Sequence, residues 1–366
     1  HPTDVQLPNF KKRASSMRIV IPRESVAGER RTSATPETVK KMIHLGAEVA
    51  IESGAGAAVG FDDSIYAELG AEIVADRAAL LGSADMVLRL RKPEPDEIGM
   101  MKSGCIHVSY LDPFNERDLI NTLADKGITA ISMEMIPRST RSQKMDALSS
   151  QANLAGYVAV MLAAAQLPRI FPMLMTPAGT LKPAKVFIIG AGVAGLQAIA
   201  TAKRLGARVW AFDIRKEAKD QVESLGAKFV EASTEAQDSV YAQEVSEEEN
   251  QKIQEALKKQ VIDSDIVLTF AQIPGKKAPV LIEKSTVENM KENSVIIDLA
   301  AGTGGNCEGT EVNKVVEING VKIVGETDIL NTVKHAATKL YSENVRNLIE
   351  LYIENSDDEI FVEMSS

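Results

Sequence analysis

One stretch, Ala184–Arg215, limits the fold more than any other. Lys185–Ile189 is a short, β-branched apolar run and reads as a buried strand. Gly190, Gly192 and Gly195 follow at G-x-G-x-x-G spacing. The first glycine allows a tight turn, the second lets a pyrophosphate approach the backbone, and the third lets the next helix pack on the strand. A helix over Val193–Leu205 closes at Gly206, and a second strand, Arg208–Phe212, ends in Asp213. Asp213 lies 18 residues beyond Gly195 (213 − 195), about where an acid meets a ribose hydroxyl. A lone glycine fingerprint is weak. Strand, glycines, helix, strand and acid in this order point to a dinucleotide-binding unit. The acid favours NAD, because it repels a 2′-phosphate; Arg215 acts against that preference.

Composition closes off other classes. The 366 residues suffice for two domains. A net charge of −10 argues against a general nucleic-acid binder. Two cysteines, Cys105 and Cys307, exclude a disulfide framework and suit a reducing compartment. The four histidines, His1, His44, His107 and His335, form no metal pattern. Val186–Ala202 carries no charge over 17 residues, but it holds three glycines and is explained as strand plus helix, not a membrane span. The chain opens at His1 without Met or a signal peptide, as expected of an excised piece or processed product.

A short repeat organises the rest. Leu45-Gly46-Ala47 recurs as Leu69-Gly70-Ala71, Leu205-Gly206-Ala207 and Leu225-Gly226-Ala227. Each marks a helix closing on a left-handed glycine with a strand starting at once. Two copies fall in each half. The expected fold class is therefore α/β, with two Rossmann-like, doubly wound parallel-sheet domains joined by long helices and a cleft between them. Residues 1–16 read as a linker or tail. The first domain spans 17–145 plus about 332–366, and the nucleotide domain spans 146–331. The first half lacks the fingerprint, since Pro22-Arg23-Glu24-Ser25 follows its first strand. Thr35 is the expected cap of a helix with Pro36 in its first turn. Ser149–Ala165 reads as a long buried helix joining the halves, and Pro168, Pro172 and Pro177 as an irregular crossing. Glu231–Asn250 is a polar insertion of the kind that is often functional or mobile; its acid run also suits a plain solvated surface. Ala271–Pro279 and Ala300–Asn306 are loops at strand carboxyl ends, which line ligand crevices.

A second constellation, Pro137–Gln151, is dense in polar groups. It reads either as an ordinary hydrophilic loop with a serine cap or as a loop that holds a nicotinamide. Together with the glycine fingerprint and Ile273–Ile282, it carries a resemblance to the alanine dehydrogenase / pyridine-nucleotide transhydrogenase family, and within it to NAD(H)-binding domains of proton-translocating transhydrogenases. The resemblance runs from Met17 to about Glu350. It implies that Arg138, Gln143 and Asp146 form the catalytic loop, with Ser149 following. It implies nucleotide contacts from Gly190, Gly192, Val193, Ala194, Gly195, Asp213, Ile214, Arg215 and Gln272, and from Tyr241 on a mobile loop. It also implies a homodimer and a partner domain carrying NADP(H). A proton-channel membrane domain would complete the enzyme, with this segment soluble on its aqueous face, in a bacterial cytoplasm or an organelle matrix.

The departures bear on chemistry. Alanine dehydrogenases carry a catalytic lysine in a Lys-Val-Lys-Glu-Pro strand and a histidine soon after. Here Arg89-Leu90-Arg91-Lys92-Pro93 stands there, with Arg89 at the lysine position and Asp112 at the histidine position; His107 comes five residues early. Ala301-Gly302-Thr303 replaces bulkier and acidic residues usual in transhydrogenases. Amino-acid oxidation needs a base tuned near neutrality, and arginine cannot be that base. Hydride exchange between two nicotinamides needs only the rings held at about 3–3.5 Å with water excluded. The sequence therefore favours hydride exchange with a second nucleotide over an alanine-type dehydrogenase. A binding module without turnover is the third reading.

Overall fold

The structure is a computed structural model that describes residues 17–231 and 247–354. It divides into two compact units, one ending at Gln151 and resuming at Val333, the other running from Ala152 to Thr332.

The first unit alternates strand and helix: β1 (Arg18–Ile21), α1 (Pro36–His44), β2 (Glu48–Glu52), α2 (Asp63–Glu68), β3 (Glu72–Val74), α3 (Arg77–Ser83), β4 (Met86–Leu88), α4 (Pro95–Met100), β5 (Ile106–Ser109), α5 (Arg117–Asp125), β6 (Thr129–Ser132) and the start of α6 (Ala147–Gln166). The sheet order is β3-β2-β1-β4-β5-β6, with every pairing parallel. A parallel sheet is covered on both faces, so its strands are apolar on both sides. Ile19, Ile21, Met86, Leu88 and Val108 pack on one face, while Val20, Val87, Leu80 and Leu123 pack on the other. Thr35 caps α1: its hydroxyl accepts from Thr38 N at 3.2 Å, and Thr38 Oγ1 accepts from Thr35 N at 2.9 Å. Such a cap is worth about 1 kcal/mol.

The second unit opens with β7 (Leu174–Thr176) and β8 (Gly179–Leu181), then continues β9 (Lys185–Ile189), α7 (Val193–Arg204), β10 (Arg208–Phe212), α8 (Ala218–Ser224), β11 (Lys228–Phe229), α9 (Glu247–Asp263), β12 (Ile266–Thr269), α10 (Lys284–Val287), β13 (Val295–Asp298), β14 (Val315–Ile318) and β15 (Val321–Val324). The chain then returns to the first unit as α11 (Lys334–Glu354). The large sheet runs β11-β10-β9-β12-β13-β15-β14, and only β14 is antiparallel. The strand order reverses at β9, the switch point at which such sheets bind ligands. The four repeated glycines do close helices in left-handed geometry, with φ of 94°, 97°, 88° and 80° at Gly46, Gly70, Gly206 and Gly226.

Two expectations need correction. The proline-rich crossing contains the β7–β8 hairpin, whose residues are all exposed. The prolines flank the hairpin and sit in its loop, where they remove no ladder hydrogen bond. The joining helix α6 is not buried throughout: Leu148 and Tyr157 are 40% and 42% exposed. Among the described residues, α6 alone is long and apolar enough to cross a membrane by length and composition, with 39% of its most apolar window buried.

Candidate functional site

The glycine turn is built at the end of β9. Gly190 adopts φ 96°, a region costly for any residue with a Cβ. Gly195 lies in the first turn of α7, where a Cβ would come within 1.8 Å of Gly190 O. Helix and strand end are therefore closer than a side chain permits. Around Gly192 the geometry is the reverse, with nothing within 4 Å of where its Cβ would stand. Gly192 is the N-cap of α7, and no side chain caps that end. The N–H groups of Val193, Ala194 and Gly195 sit there with the positive end of the helix dipole. Free donors, positive potential and open space beside a glycine fit a pyrophosphate. On its outer side the turn is backed by α6, where a Cβ on Gly156 would fall 2.1 Å from Ala194 O.

Asp213 stands at the end of β10, beside the glycine turn. Its Oδ2 accepts from Ala191 N at 2.8 Å and from Arg215 Nη2 at 3.0 Å. Its Oδ1 accepts from Arg215 N at 2.9 Å and Nε at 3.0 Å. Burial alone would raise this carboxyl, but the Arg215 hydrogen bonds and the two backbone donors outweigh it and hold it below its ordinary value. The acid thus ties the glycine turn to β10, and a ribose hydroxyl must share it with Arg215 or displace that side chain. Ile214 is 67% exposed beside it. Replacing Asp213 by alanine is expected to weaken NADH binding by about 1–3 kcal/mol, about 5- to 150-fold. Fluorescence titration checks it, and unchanged affinity removes Asp213 from the site.

The loops after β12 and β13 are held by two residues that the sequence reading passed over. Asn306 is fully buried; its Oδ1 accepts from Ala271 N at 3.2 Å, and its Nδ2 donates to Ala271 O and Pro279 O, both at 2.8 Å. Asp298, also fully buried, accepts through Oδ1 from Thr269 Oγ1 and Ala300 N, both at 3.0 Å. Its Oδ2 accepts from Asn306 N at 2.8 Å, Cys307 N at 3.1 Å and Thr310 Oγ1 at 2.6 Å. The available signal was an acid at the end of an apolar strand just before a glycine-rich loop. Gln272 is exposed, and its Nε2 donates to Leu299 O at 2.8 Å.

The polar loop of the first unit is only partly what its residues suggested. Arg138 and Gln143 are exposed. Asp146 acts as the N-cap of α6: Oδ1 accepts from Ser149 N at 2.9 Å and Oδ2 from Ser149 Oγ at 2.6 Å. The expected serine cap is thus an aspartate cap with the serine three residues on. Asn344 Nδ2 on α11 donates to Lys144 O at 2.8 Å and fixes the loop from below. Tyr241 lies outside the described residues.

The acid Glu24 accepts from Leu90 N at 2.6 Å and Arg91 N at 3.1 Å, and burial raises its carboxyl above the ordinary value against the charge of Arg89. This arginine is 1% exposed, paired with Glu97, and donates to Ser25 Oγ at 2.9 Å. His107 is fully buried with neither ring nitrogen hydrogen-bonded in the structure. Burial, helped by the nearby Arg89 charge, pushes its pKa down to about 3, so the ring is neutral at physiological pH. Among the described residues no group of three or more His, Cys, Asp or Glu side chains is placed to hold a metal ion.

This architecture has known counterparts. The N-terminal domain profile of alanine dehydrogenase/PNT matches residues 20–155, and the C-terminal domain profile of the same family matches residues 159–365. An NAD(P) transhydrogenase subunit alpha chain of Rhodospirillum rubrum is 45% identical over 348 residues, which cover 92% of this chain and 91% of that protein. The alanine dehydrogenase of Bacillus subtilis is 30% identical over 295 residues, covering 80% and 72%. The crystal structure of transhydrogenase from Sinorhizobium meliloti superposes with a TM-score of 0.83 at 42% identity, covering 92% of this chain and 94% of that one. Matched in both of its domains, this chain belongs to the alanine dehydrogenase/PNT family.

Proposed function

We propose that this chain is the NAD(H)-binding component of a proton-translocating transhydrogenase and passes hydride between NADH and NADP⁺ held by a partner domain. The observation that carries the reading is the uncapped head of α7 with open space at Gly192 and Asp213 at its side. One such turn serves one dinucleotide, so NADP(H) sits on another domain. The bound NADH supplies the hydride. The chain's residues bind the pyrophosphate at Val193, Ala194 and Gly195, position the ribose at Asp213, and present Arg138 and Gln143 for the nicotinamide end. Asp146 and Ser149 act by fixing the start of α6.

A homodimer accompanies this reading. Met173, Leu174, Met175 and Leu181 on and beside the hairpin are 45–74% exposed, and a two-stranded ribbon is marginal alone in water; a second copy is the proposed cover. The remaining partner is a proton-channel membrane domain, with this chain on the aqueous face of that enzyme. The described units divide at 151/152 and 332/333, and we assign nucleotide binding to the second.

The alternative, an alanine-type dehydrogenase, draws on the 30% identity to such an enzyme. Against it stand the buried Arg89–Glu97 pair and the neutral, enclosed His107. Mixing the chain with an NADP-binding transhydrogenase domain, NADH and an NADP⁺ analogue is expected to reduce the analogue. NADH binding without exchange would overturn the proposal, and NADH oxidation by the chain alone with pyruvate and ammonia would establish the alternative.

A further inference from the structure

The chain returns to its first unit as α11, and one side chain of that helix reaches the polar loop from two directions. Tyr341, Val345 and Leu348 share a face of α11 and belong to the same apolar core as Met145 of the loop. Asn344 stands in that stripe and is 7% exposed. An apolar residue is the default at such a place, since a buried amide costs free energy unless its donor and its acceptor are both used. Here both are used, on different segments. Nδ2 donates to Lys144 O at 2.8 Å, and Oδ1 accepts from Ser150 Oγ at 2.7 Å. Asn347, one turn further along α11, adds a longer bond from its Nδ2 to the same Lys144 O at 3.3 Å.

The two partners of Asn344 bracket the Asp146 cap. Lys144 belongs to the short turn that carries Gln143, and Ser150 lies in the first turn of α6 beside Ser149. The loop's own bonds are all local: Met145 N donates to Ser142 O at 2.9 Å, and Asp146 N to Gln143 O at 3.3 Å. Local bonds shape a turn without fixing its orientation. Orientation comes from Met145, which is 2% exposed, and from the amide that ties Lys144 O to a 21-residue helix.

We propose that Asn344 is a positioning residue for hydride transfer: through Lys144 and Ser150 it sets how Gln143 is presented to the nicotinamide end. This inference rests on the hydride-exchange reading. Misplacing a group by about 1 Å near a reacting centre costs about 100-fold in rate, so one buried amide is enough to govern turnover. The same amide leaves the coenzyme's grip alone, because Val193, Ala194 and Gly195 belong to the second unit.

The test is turnover per NADH-binding site, measured with saturating NADH and saturating NADP-binding partner domain. Asn344→Leu is close to the native side chain in volume but supplies neither donor nor acceptor. Its turnover is expected to fall about tenfold, and by no less than about threefold. Its dissociation constant for NADH is expected to stay within about threefold of the native value. A residue that serves stability alone would leave turnover per binding site unchanged. A smaller fall in turnover, or a parallel loss of NADH affinity, overturns the assignment. If Asn344→Leu does not fold, Ser150→Ala decides, because it removes the donor to Asn344 Oδ1. Turnover lowered about threefold or more at unchanged NADH affinity supports the role, and any smaller change overturns it. A native chain that exchanges no hydride sinks the hydride-exchange reading and this inference with it. An active native chain beside an equally active variant sinks the inference alone.

Discussion

Replacing Gly195 by alanine is expected to abolish measurable NADH binding and to lower stability by about 3 kcal/mol or more. The added Cβ would lie 1.8 Å from Gly190 O and 2.9 Å from Gly190 C. Both are backbone atoms, so no side chain can swing aside. Either α7 moves off the end of β9 or the turn at Gly190 opens. Both movements displace the N–H groups of Val193, Ala194 and Gly195, to which we assign the pyrophosphate. Loss of those charge-assisted hydrogen bonds, each worth about 1.5–3 kcal/mol, corresponds to a loss in affinity of about 100-fold or greater. Thermal unfolding and an NADH fluorescence titration on the same preparation separate the two effects. A variant that binds NADH within about threefold of the native chain, an energy difference under about 0.7 kcal/mol, would show that the glycine turn is not the nucleotide grip.

Replacing Asp298 by alanine is expected to cost about 3–5 kcal/mol in unfolding free energy. Five donors converge on this carboxylate from Thr269, Ala300, Asn306, Cys307 and Thr310. Asp298 is fully buried, so the orphaned donors find little water. Asn306 depends on it through its backbone N–H, and Asn306 in turn holds both Ala271 and Pro279. The variant should therefore also loosen the loops after β12 and β13 and weaken NADH binding. Denaturant unfolding with matched m-values checks the first effect. A change below about 1 kcal/mol would mean that the loop holds itself.

How much of this was legible in the sequence depends on how local the determining chemistry is. The glycine turn was readable because strand, glycines, helix and acid are consecutive, and each has a steric or electrostatic reason that needs no distant partner. The Leu-Gly-Ala closures were readable for the same reason. The β7–β8 hairpin was not, because three prolines in ten residues resemble an irregular crossing, whereas a two-residue loop with flanking prolines leaves the ladder intact. The exposure of Leu148 and Tyr157 was hidden by the composition of α6, which is apolar on every side and so gives no amphipathic hint of which face meets the core. Asp146 shows a different limit. An aspartate before an apolar run can be a helix cap, a ligand or both; its hydrogen bonds to Ser149 show the cap and leave the expected nicotinamide role untouched. Asp298 and Asn306 depend on partners across two loops, and Asn344 on Lys144, 200 residues away; no local pattern encodes such meetings.

The close backbone contacts of Gly156 with Ala194 and of Gly195 with Gly190 carry one more consequence. The glycine turn is clamped from within and from behind by main chain, so as the proposed pyrophosphate grip it has little slack to lose when a dinucleotide arrives. The ordering entropy of association at that turn then falls on the ligand rather than on the protein. A grip assembled in advance holds oxidised and reduced coenzyme by the same diphosphate and leaves discrimination between them to the nicotinamide end.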